Sequence, residues 1–391
     1  MNYIPQPTNH VPISVDIVAD GDVVRLDWPG SVSSRFHAFW LRDNGHDIKT
    51  RDPGSWQKLI SLSDIPERTR VESAQINNKG ELALSFSPDH WTTVIPIHWL
   101  WEHRYDVNRT EQRTLFRPSV TTWSSQFSTD LPTVSFHDAR TKPQALRDWL
   151  SSINQYGIAL MEGLPIRPQS VLEVVQLFGY PRQISQDRFF EIKAVNNPAN
   201  LAYSALGLAP HTDNPYRDPV PTLQLFACLQ NDAQGGESIV VDGFKATERL
   251  HQESPEKFAL LKNHSAQFDF HGDGQWHLRS RKPIIECSPE GLVVGVRFNN
   301  RSSDALTGIP FDTMPAYYAA YRRFDELLSS DELKVDFRLE PGQLFITDNT
   351  RVLHARRAFY GGTRWMQGAY ADKDALRSKL MMLNKRWPAH Q

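Results

Sequence analysis

Through the first hundred residues, apolar and polar positions alternate in short runs. Val23-Val24-Arg25-Leu26-Asp27-Trp28 and Glu81 to Phe86 each put every second side chain on one face, and Phe36 to Leu41 predicts a further strand. With the Asn78-Lys79-Gly80 turn, these runs predict a small β-rich N-terminal domain over residues 1–110. Residues 111–134 lack a period and predict a connection. From residue 135 the period changes. Leu146, Trp149, Leu150 and Ile153 recur at helical spacing behind Pro143, and Ser170 to Phe178 predicts a second helix closed by Gly179. Strand-like runs then dominate: Ile158–Met161, Thr222–Leu229, Ser238–Val241, Ile284–Cys287, Leu292–Arg297, Phe337–Leu339, Gln343–Thr347 and Trp365–Tyr370. Helices are predicted at Phe244–Leu261 and Pro315–Leu328. Many short strands with a few flanking helices predict a mainly β second domain over 135–391, a double-sheet jelly roll. A doubly wound sheet fits less well, because no Gly-rich strand–turn–helix fingerprint occurs.

Composition narrows the partners. Of 391 residues, 40% are hydrophobic and 23% charged, which suits a chain with a sizeable core. The net charge of −2 offers no bulk excess for nucleic acid or a membrane surface, so a small molecule is the expected partner. Two cysteines, Cys228 and Cys287, exclude a disulfide framework and a four-thiolate zinc site. No run of about 18 apolar residues occurs. A cytoplasmic location is expected.

The sharpest local feature is His211-Thr212-Asp213. On extended backbone, residues two apart share a face, so an imidazole and a carboxylate can reach one ion together. Alone, such a triplet is weak in a chain with 14 histidines. A third ligand is offered by His354, behind the apolar run Phe345-Ile346-Thr347. Ten positions on stands Arg364, whose planar guanidinium suits a carboxylate. Ser238, after Gly235-Gly236-Glu237, adds a hydroxyl that could donate to the same group. Two histidines and one carboxylate on one face of an octahedron are the ligand set of non-haem iron(II) oxygenases. A zinc hydrolase is the alternative, but it leaves Arg364 without a role. A non-catalytic β-barrel binder should have lost a ligand.

His211-x-Asp213, the Gly-Gly-Glu-Ser turn and Asp348-Asn349-x-x-x-x-His354-x-Arg356-Arg357 followed by Arg364 resemble the taurine dioxygenase superfamily. The likeness is closer to its γ-butyrobetaine and trimethyllysine hydroxylase branch. It extends over nearly the whole chain, through Trp40-Leu41-Arg42-Asp43-Asn44, Asn200-Leu201-Ala202-Tyr203, Val240-Val241-Asp242-Gly243-Phe244 and Gln367-Gly368-Ala369-Tyr370-Ala371-Asp372. This resemblance implies a double-stranded β-helix behind a small β domain. It implies iron(II) at His211, Asp213 and His354, and 2-oxoglutarate at Arg364 with Ser238 as a second contact. It also implies dioxygen as co-substrate, and a homodimer. In that branch Leu-Arg-Asp-Asn is followed by three cysteines of a structural zinc site with a later histidine. Here Gly45-His46-Asp47-Ile48-Lys49-Thr50 has no cysteine, and His90 stands at the partner histidine's place. No structural zinc is expected.

The branch oxidises small trimethylammonium compounds. A quaternary ammonium has no hydrogen to donate, so aromatic faces must hold it. The resemblance puts Tyr203 and Tyr370 in that role, with Phe190 or its neighbour Phe189 as a further wall. For the substrate's anionic end it offers Asn200 and Asn299, with Asn300 a near alternative. Arg297 and Arg301 would add positive charge, and Arg297 shares a strand face with Asn299. An inward Arg297 would favour a phosphonate. The branch includes a 2-trimethylaminoethylphosphonate hydroxylase, whose substrate differs from γ-butyrobetaine mainly at that end. The residues leave carboxylate and phosphonate both open.

Overall fold

The computed structural model describes residues 11–106, 114–184, 187–193, 205–272 and 276–384. The chain divides into two compact units, 1–112 and 113–391.

The first unit holds two three-stranded antiparallel sheets. One is Ser14–Val18, Val23–Trp28 and Val32–His37; the other is Arg70–Ile76, Glu81–Ser87 and Thr92–Pro96. Strand alternation builds its core, since Val24, Leu26, Trp28, Leu82, Leu84 and Phe86 all point inward. The run Phe36–Leu41 is not one strand. The strand stops at His37 and a helix takes over at Ala38–Asp43. Ala38, Leu41 and Arg42 are its buried residues, a helical stripe that outweighs the short apolar run. Asp47 accepts hydrogen bonds from the Thr50 and Thr93 hydroxyls at 2.7 and 2.6 Å, and His90 is exposed beside Glu72.

In the second unit, a six-stranded sheet runs in the order Thr133–Ser135, Ile158–Glu162, Leu344–Asp348, Leu223–Asn231, Arg364–Ala371, Phe190–Lys193. A four-stranded sheet has the order Leu208–His211, Val352–Arg356, Ser238–Asp242, Lys334–Phe337. Phe226, Cys228, Val240, Val335, Phe345, Val352 and Met366, drawn from both sheets, form one buried cluster between them. Together the sheets make a jelly roll. On the six-stranded sheet the alternate set Leu223, Leu225 and Ala227 faces the other way. It packs with the helices Pro143–Tyr156, Ser170–Val175 and Lys373–Asn384. A third cluster joins Ile284, Val293, Val296 and Phe298 to the helices Gly243–Glu253, Pro255–Asn263 and Met314–Leu328.

Several boundaries in this unit differ from expectation. The helix predicted over Phe244–Leu261 is two helices, because Ser254 is extended and caps the second by accepting from the Lys257 amide, with Pro255 at its first turn. The Ser170 helix ends at Val175, and the strand predicted at Phe337–Leu339 runs Lys334–Phe337. His354 lies inside its own strand, Val352–Arg356, one edge of which pairs with His211.

A buried ion pair fixes the entry to that strand. Arg351 donates to both oxygens of Asp242, at 3.0 and 2.8 Å, and the two side chains are 2% and 0% exposed. Asp242 also accepts from the Phe244 and Trp123 amides. Removing one partner of a buried pair leaves the other charge uncompensated, at a cost of about 3–5 kcal/mol. Arg351→Met is therefore expected to lower the denaturant midpoint sharply, and a midpoint unchanged in a urea titration would contradict this assignment.

Candidate active site

His211 closes the strand Leu208–His211, and its Cα partner across the sheet is His354. The rings lie 4.2 Å apart between centroids. Asp213 follows the strand end, and its Oδ1 is 3.4 Å from His211 Nε2 and 3.8 Å from His354 Nε2. All three ligand atoms lie within 4.8 Å of one another. The Nδ1–H of His211 donates to the Ala209 carbonyl at 2.8 Å, a bond that assigns the tautomer and leaves the Nε2 lone pair free for an ion. Burial pushes His354 down to about 3, and the neighbouring His211 adds to the effect. His354 is accordingly a neutral imidazole at physiological pH. For Asp213 burial acts to raise the pKa, but His354, His211 and the Tyr370 hydroxyl outweigh it and hold the carboxyl well below its ordinary range. Two imidazoles and one carboxylate thus converge.

The loop carrying Asp213 is pinned from several sides. The Asp213 amide donates to Asn349 Oδ1 at 2.7 Å, while Asn349 Nδ2 donates to the carbonyls of Asp213 and Pro221 at 3.0 and 2.8 Å. The Thr212 amide donates to the Phe298 carbonyl at 2.7 Å, and Asn299 Nδ2 to the Thr212 carbonyl at 3.1 Å. Asp213 Oδ2 accepts from Tyr370 at 2.6 Å and from Gln224 Nε2. Only Oδ1 faces the histidines.

These ligands line a cavity of about 640 Å³. Ser238, Arg356, Arg364, Phe190, Tyr370 and Arg301 also line it. Arg364 begins the strand Arg364–Ala371 and is 7% exposed. Its Nε is buried and has no hydrogen-bond partner among the described residues. Burial pushes its pKa down to about 10, helped by the charge of Arg356. A buried guanidinium nitrogen without an acceptor is costly, and a carboxylate is the group that satisfies it. Gly236, at φ +74, has no Cβ; one there would press on the Arg364 side chain at 3.1 Å.

The family of this chain follows from its sequence. Residues 115–370, which carry the triad and Arg364, match the Taurine catabolism dioxygenase TauD, TfdA family. The chain belongs to that family. It is an iron(II)- and 2-oxoglutarate-dependent dioxygenase of the jelly-roll type, and the donors lining the cavity fit both groups. The nitrogens and carboxylate oxygen of the triad suit iron(II), and the unsatisfied Arg364 Nε, with the Ser238 hydroxyl on the same cavity, suits a keto-diacid. Among curated members of this family, the gamma-butyrobetaine dioxygenase of Pseudomonas sp. (strain AK-1) is 32% identical over 93% of this chain and 94% of that protein. The gamma-butyrobetaine dioxygenase of Homo sapiens is 28% identical over 93% of this chain and 95% of its own. A trimethyllysine dioxygenase of Meyerozyma guilliermondii is 27% identical over 93% and 94%.

Of the other residues singled out in this family member's sequence, Tyr370 and Phe190 stand on the cavity wall, stacked with centroids 5.1 Å apart. Phe189 lines it too. Tyr203 and Asn200 lie outside the described residues. Arg297 and Asn299 are not brought to the wall. Arg297 is buried, with Nε on Glu286 at 3.1 Å and Nη1 on the Pro215 and Arg217 carbonyls. Asn299 spends its amide on the Thr212 carbonyl and its oxygen on the Arg301 amide. Arg301 takes the place expected for Arg297: it lines the cavity, and its guanidinium makes no hydrogen bond or ion pair with any described residue. Gln224 and Asn349 carry no role expected from the sequence, yet both hold Asp213. Gln224 was detectable as the one amide in the apolar run Leu223–Leu229, and its side chain is fully buried. No helix among the described residues is long and apolar enough to cross a membrane.

Proposed function

We propose that the enzyme hydroxylates a small trimethylammonium zwitterion, a γ-butyrobetaine-like acid or its phosphonate counterpart 2-trimethylaminoethylphosphonate. One observation carries this reading: a single cavity joins the His211–Asp213–His354 triad to stacked aromatic rings and to Arg301, whose guanidinium has no hydrogen-bond or ion-pair partner among the described residues. With iron(II), 2-oxoglutarate and dioxygen bound, such a centre replaces a C–H hydrogen by hydroxyl while 2-oxoglutarate is decarboxylated to succinate and carbon dioxide. His211, Asp213 and His354 hold the metal, and Arg364 with Ser238 holds the distal carboxylate of 2-oxoglutarate. Phe190 and Tyr370 offer ring faces to the ammonium, at about 0.5–2 kcal/mol per ring. Arg301 receives the anionic end. Fixing both charged ends presents one C–H bond to the metal and excludes water from it. Relatives that are gamma-butyrobetaine and trimethyllysine dioxygenases support the ammonium.

The test is succinate release from 2-oxoglutarate and iron(II) with γ-butyrobetaine, 2-trimethylaminoethylphosphonate and trimethyllysine. A zwitterion of the first two kinds should give the highest kcat/KM, and preference for trimethyllysine would overturn the proposed length and charge. Arg301→Gln should raise the KM of the preferred zwitterion by about tenfold or more, the loss of one charge-assisted hydrogen bond. If the substrate is the phosphonate, its doubly charged head should suffer more than the carboxylate does. An unchanged KM for both would remove Arg301 from the site.

Gly368 lies under the Phe190 ring, and a Cβ there would collide with it. Gly368→Ala should push Phe190 off Tyr370 and raise the ammonium KM by about tenfold, the weight of a desolvated cation–ring contact. The 2-oxoglutarate KM should stay within about twofold, because Arg364 is bounded by Phe359 rather than by Phe190. Kinetics with each co-substrate varied in turn separate the two effects.

A further inference from the structure

The hairpin Ser265–His271/His277–Pro283 takes no part in this chemistry, yet it gathers a second set of ligand atoms. Its register pairs Asp269 with Arg279 and His271 with His277. Residues two apart on a strand share a face, so all four side chains crowd one side of the ribbon. His271 Nε2 lies 2.8 Å from Asp269 Oδ1, and His277 Nε2 lies 3.1 Å from Oδ2. The two rings stack with centroids 4.1 Å apart, and the three ligand atoms fall within 4.8 Å of one another. The Asp269 side chain is only 10% exposed, and its Oδ1 is buried without a hydrogen-bond partner despite the nearby imidazole. A buried carboxylate oxygen left without a donor is costly, and an ion placed between it and the two Nε2 atoms removes that cost. Arg279 Nε donates to Oδ2 at 2.5 Å, holding the carboxylate ionised and aimed while leaving Oδ1 open. As in the iron triad, two imidazole Nε2 atoms approach one carboxylate, though here each faces a different oxygen of it.

We propose that Asp269, His271 and His277 form a second metal site, separate from the iron triad, for a divalent ion of the zinc type. Two imidazoles, one carboxylate and a water complete the four positions such an ion takes. His271, Gly272 and Trp276 line the substrate cavity, so the ion would sit on its wall. There its charge repels a quaternary ammonium, so zinc should raise the substrate KM without displacing iron. That last consequence rests on the function proposed above; the binding itself does not.

The experiment counts metals on the full chain. Enzyme loaded with iron(II) and 2-oxoglutarate without oxygen is equilibrated with graded Zn²⁺, and both metals are measured after gel filtration. One zinc should bind per chain with iron retained, and the zinc dissociation constant should rise by about tenfold or more in His277→Ala. Asp269→Asn, isosteric and with both rings intact, should show the same loss. Zinc bound at wild-type affinity by either folded variant, or bound only as iron leaves, would overturn the site. A zinc site lost in both variants but without effect on the ammonium KM would keep the site and refute the substrate reading.

Discussion

Asp213→Ala is expected to abolish substrate-coupled succinate formation and to leave a folded protein that no longer retains iron(II). The carboxylate is the one anion in the ligand set, and its Oδ1 faces both histidines while Oδ2 is held by Tyr370 and Gln224. Removing a group that merely orients a ligand costs about 10–100-fold in metal affinity, so removing the ligand itself should cost more than that. Gln224→Leu supplies the comparison. It takes a donor from Oδ2 without touching the ligand atoms, and should weaken iron binding within that range. Equilibrium iron binding monitored beside turnover checks both, and an Asp213→Ala protein that keeps iron and full activity would show that the triad is not the metal centre. Folding should survive, because the loop keeps its backbone bonds to Asn349 and Phe298.

Arg364→Ala should act differently, raising the 2-oxoglutarate requirement far more than it lowers kcat at saturation. A hydrogen bond to a charged group is worth about 1.5–3 kcal/mol, equivalent to about 10–150-fold in half-saturating concentration. The burial that pushes the Arg364 pKa down to about 10 still leaves it charged at neutral pH, so the clamp holds over the physiological range. With a depressed pKa, the guanidinium loses its proton first as pH rises, and 2-oxoglutarate affinity should fall towards pH 10. Arg364→Lys keeps a charge but not the planar fork, and should recover only part of the loss. Varying 2-oxoglutarate at fixed substrate measures this, and a variant whose only defect is in kcat would place the arginine elsewhere.

Much of this site is readable from the chain because its chemistry is local in sequence. His211 and Asp213 sit two apart at a strand end, and the spacing from His354 to Arg364 spans one strand and one turn. The jelly roll was legible for a related reason: many short strand-like runs with few flanking helices follow one another through residues 135–391. Direction is what the pattern cannot supply. Strand parity puts Arg297 and Asn299 on a common face, but that face turns to Glu286 and the Thr212 carbonyl, and Arg301 reaches the cavity from the short helical turn that follows. Partners distant in sequence are equally hidden. Asn349 grips the Asp213 backbone across 136 positions, and Gln224 reaches the Asp213 carboxylate from the other, six-stranded sheet. The break at Ser254-Pro255 was visible as residues, yet helical periodicity runs through it and masks the cap.

In the proposed reaction a cation held by Phe190 and Tyr370 presents its C–H bond to a metal held by His211, Asp213 and His354. The most direct measurement compares γ-butyrobetaine with its neutral isostere, in which carbon replaces the ammonium nitrogen, by succinate released and hydroxylated product formed. About one succinate is expected per hydroxylated γ-butyrobetaine, and a kcat/KM for the isostere lower by about tenfold or more from the loss of two cation–ring contacts. Equal kcat/KM for the two, or no stimulation of succinate release by any trimethylammonium compound, would contradict it.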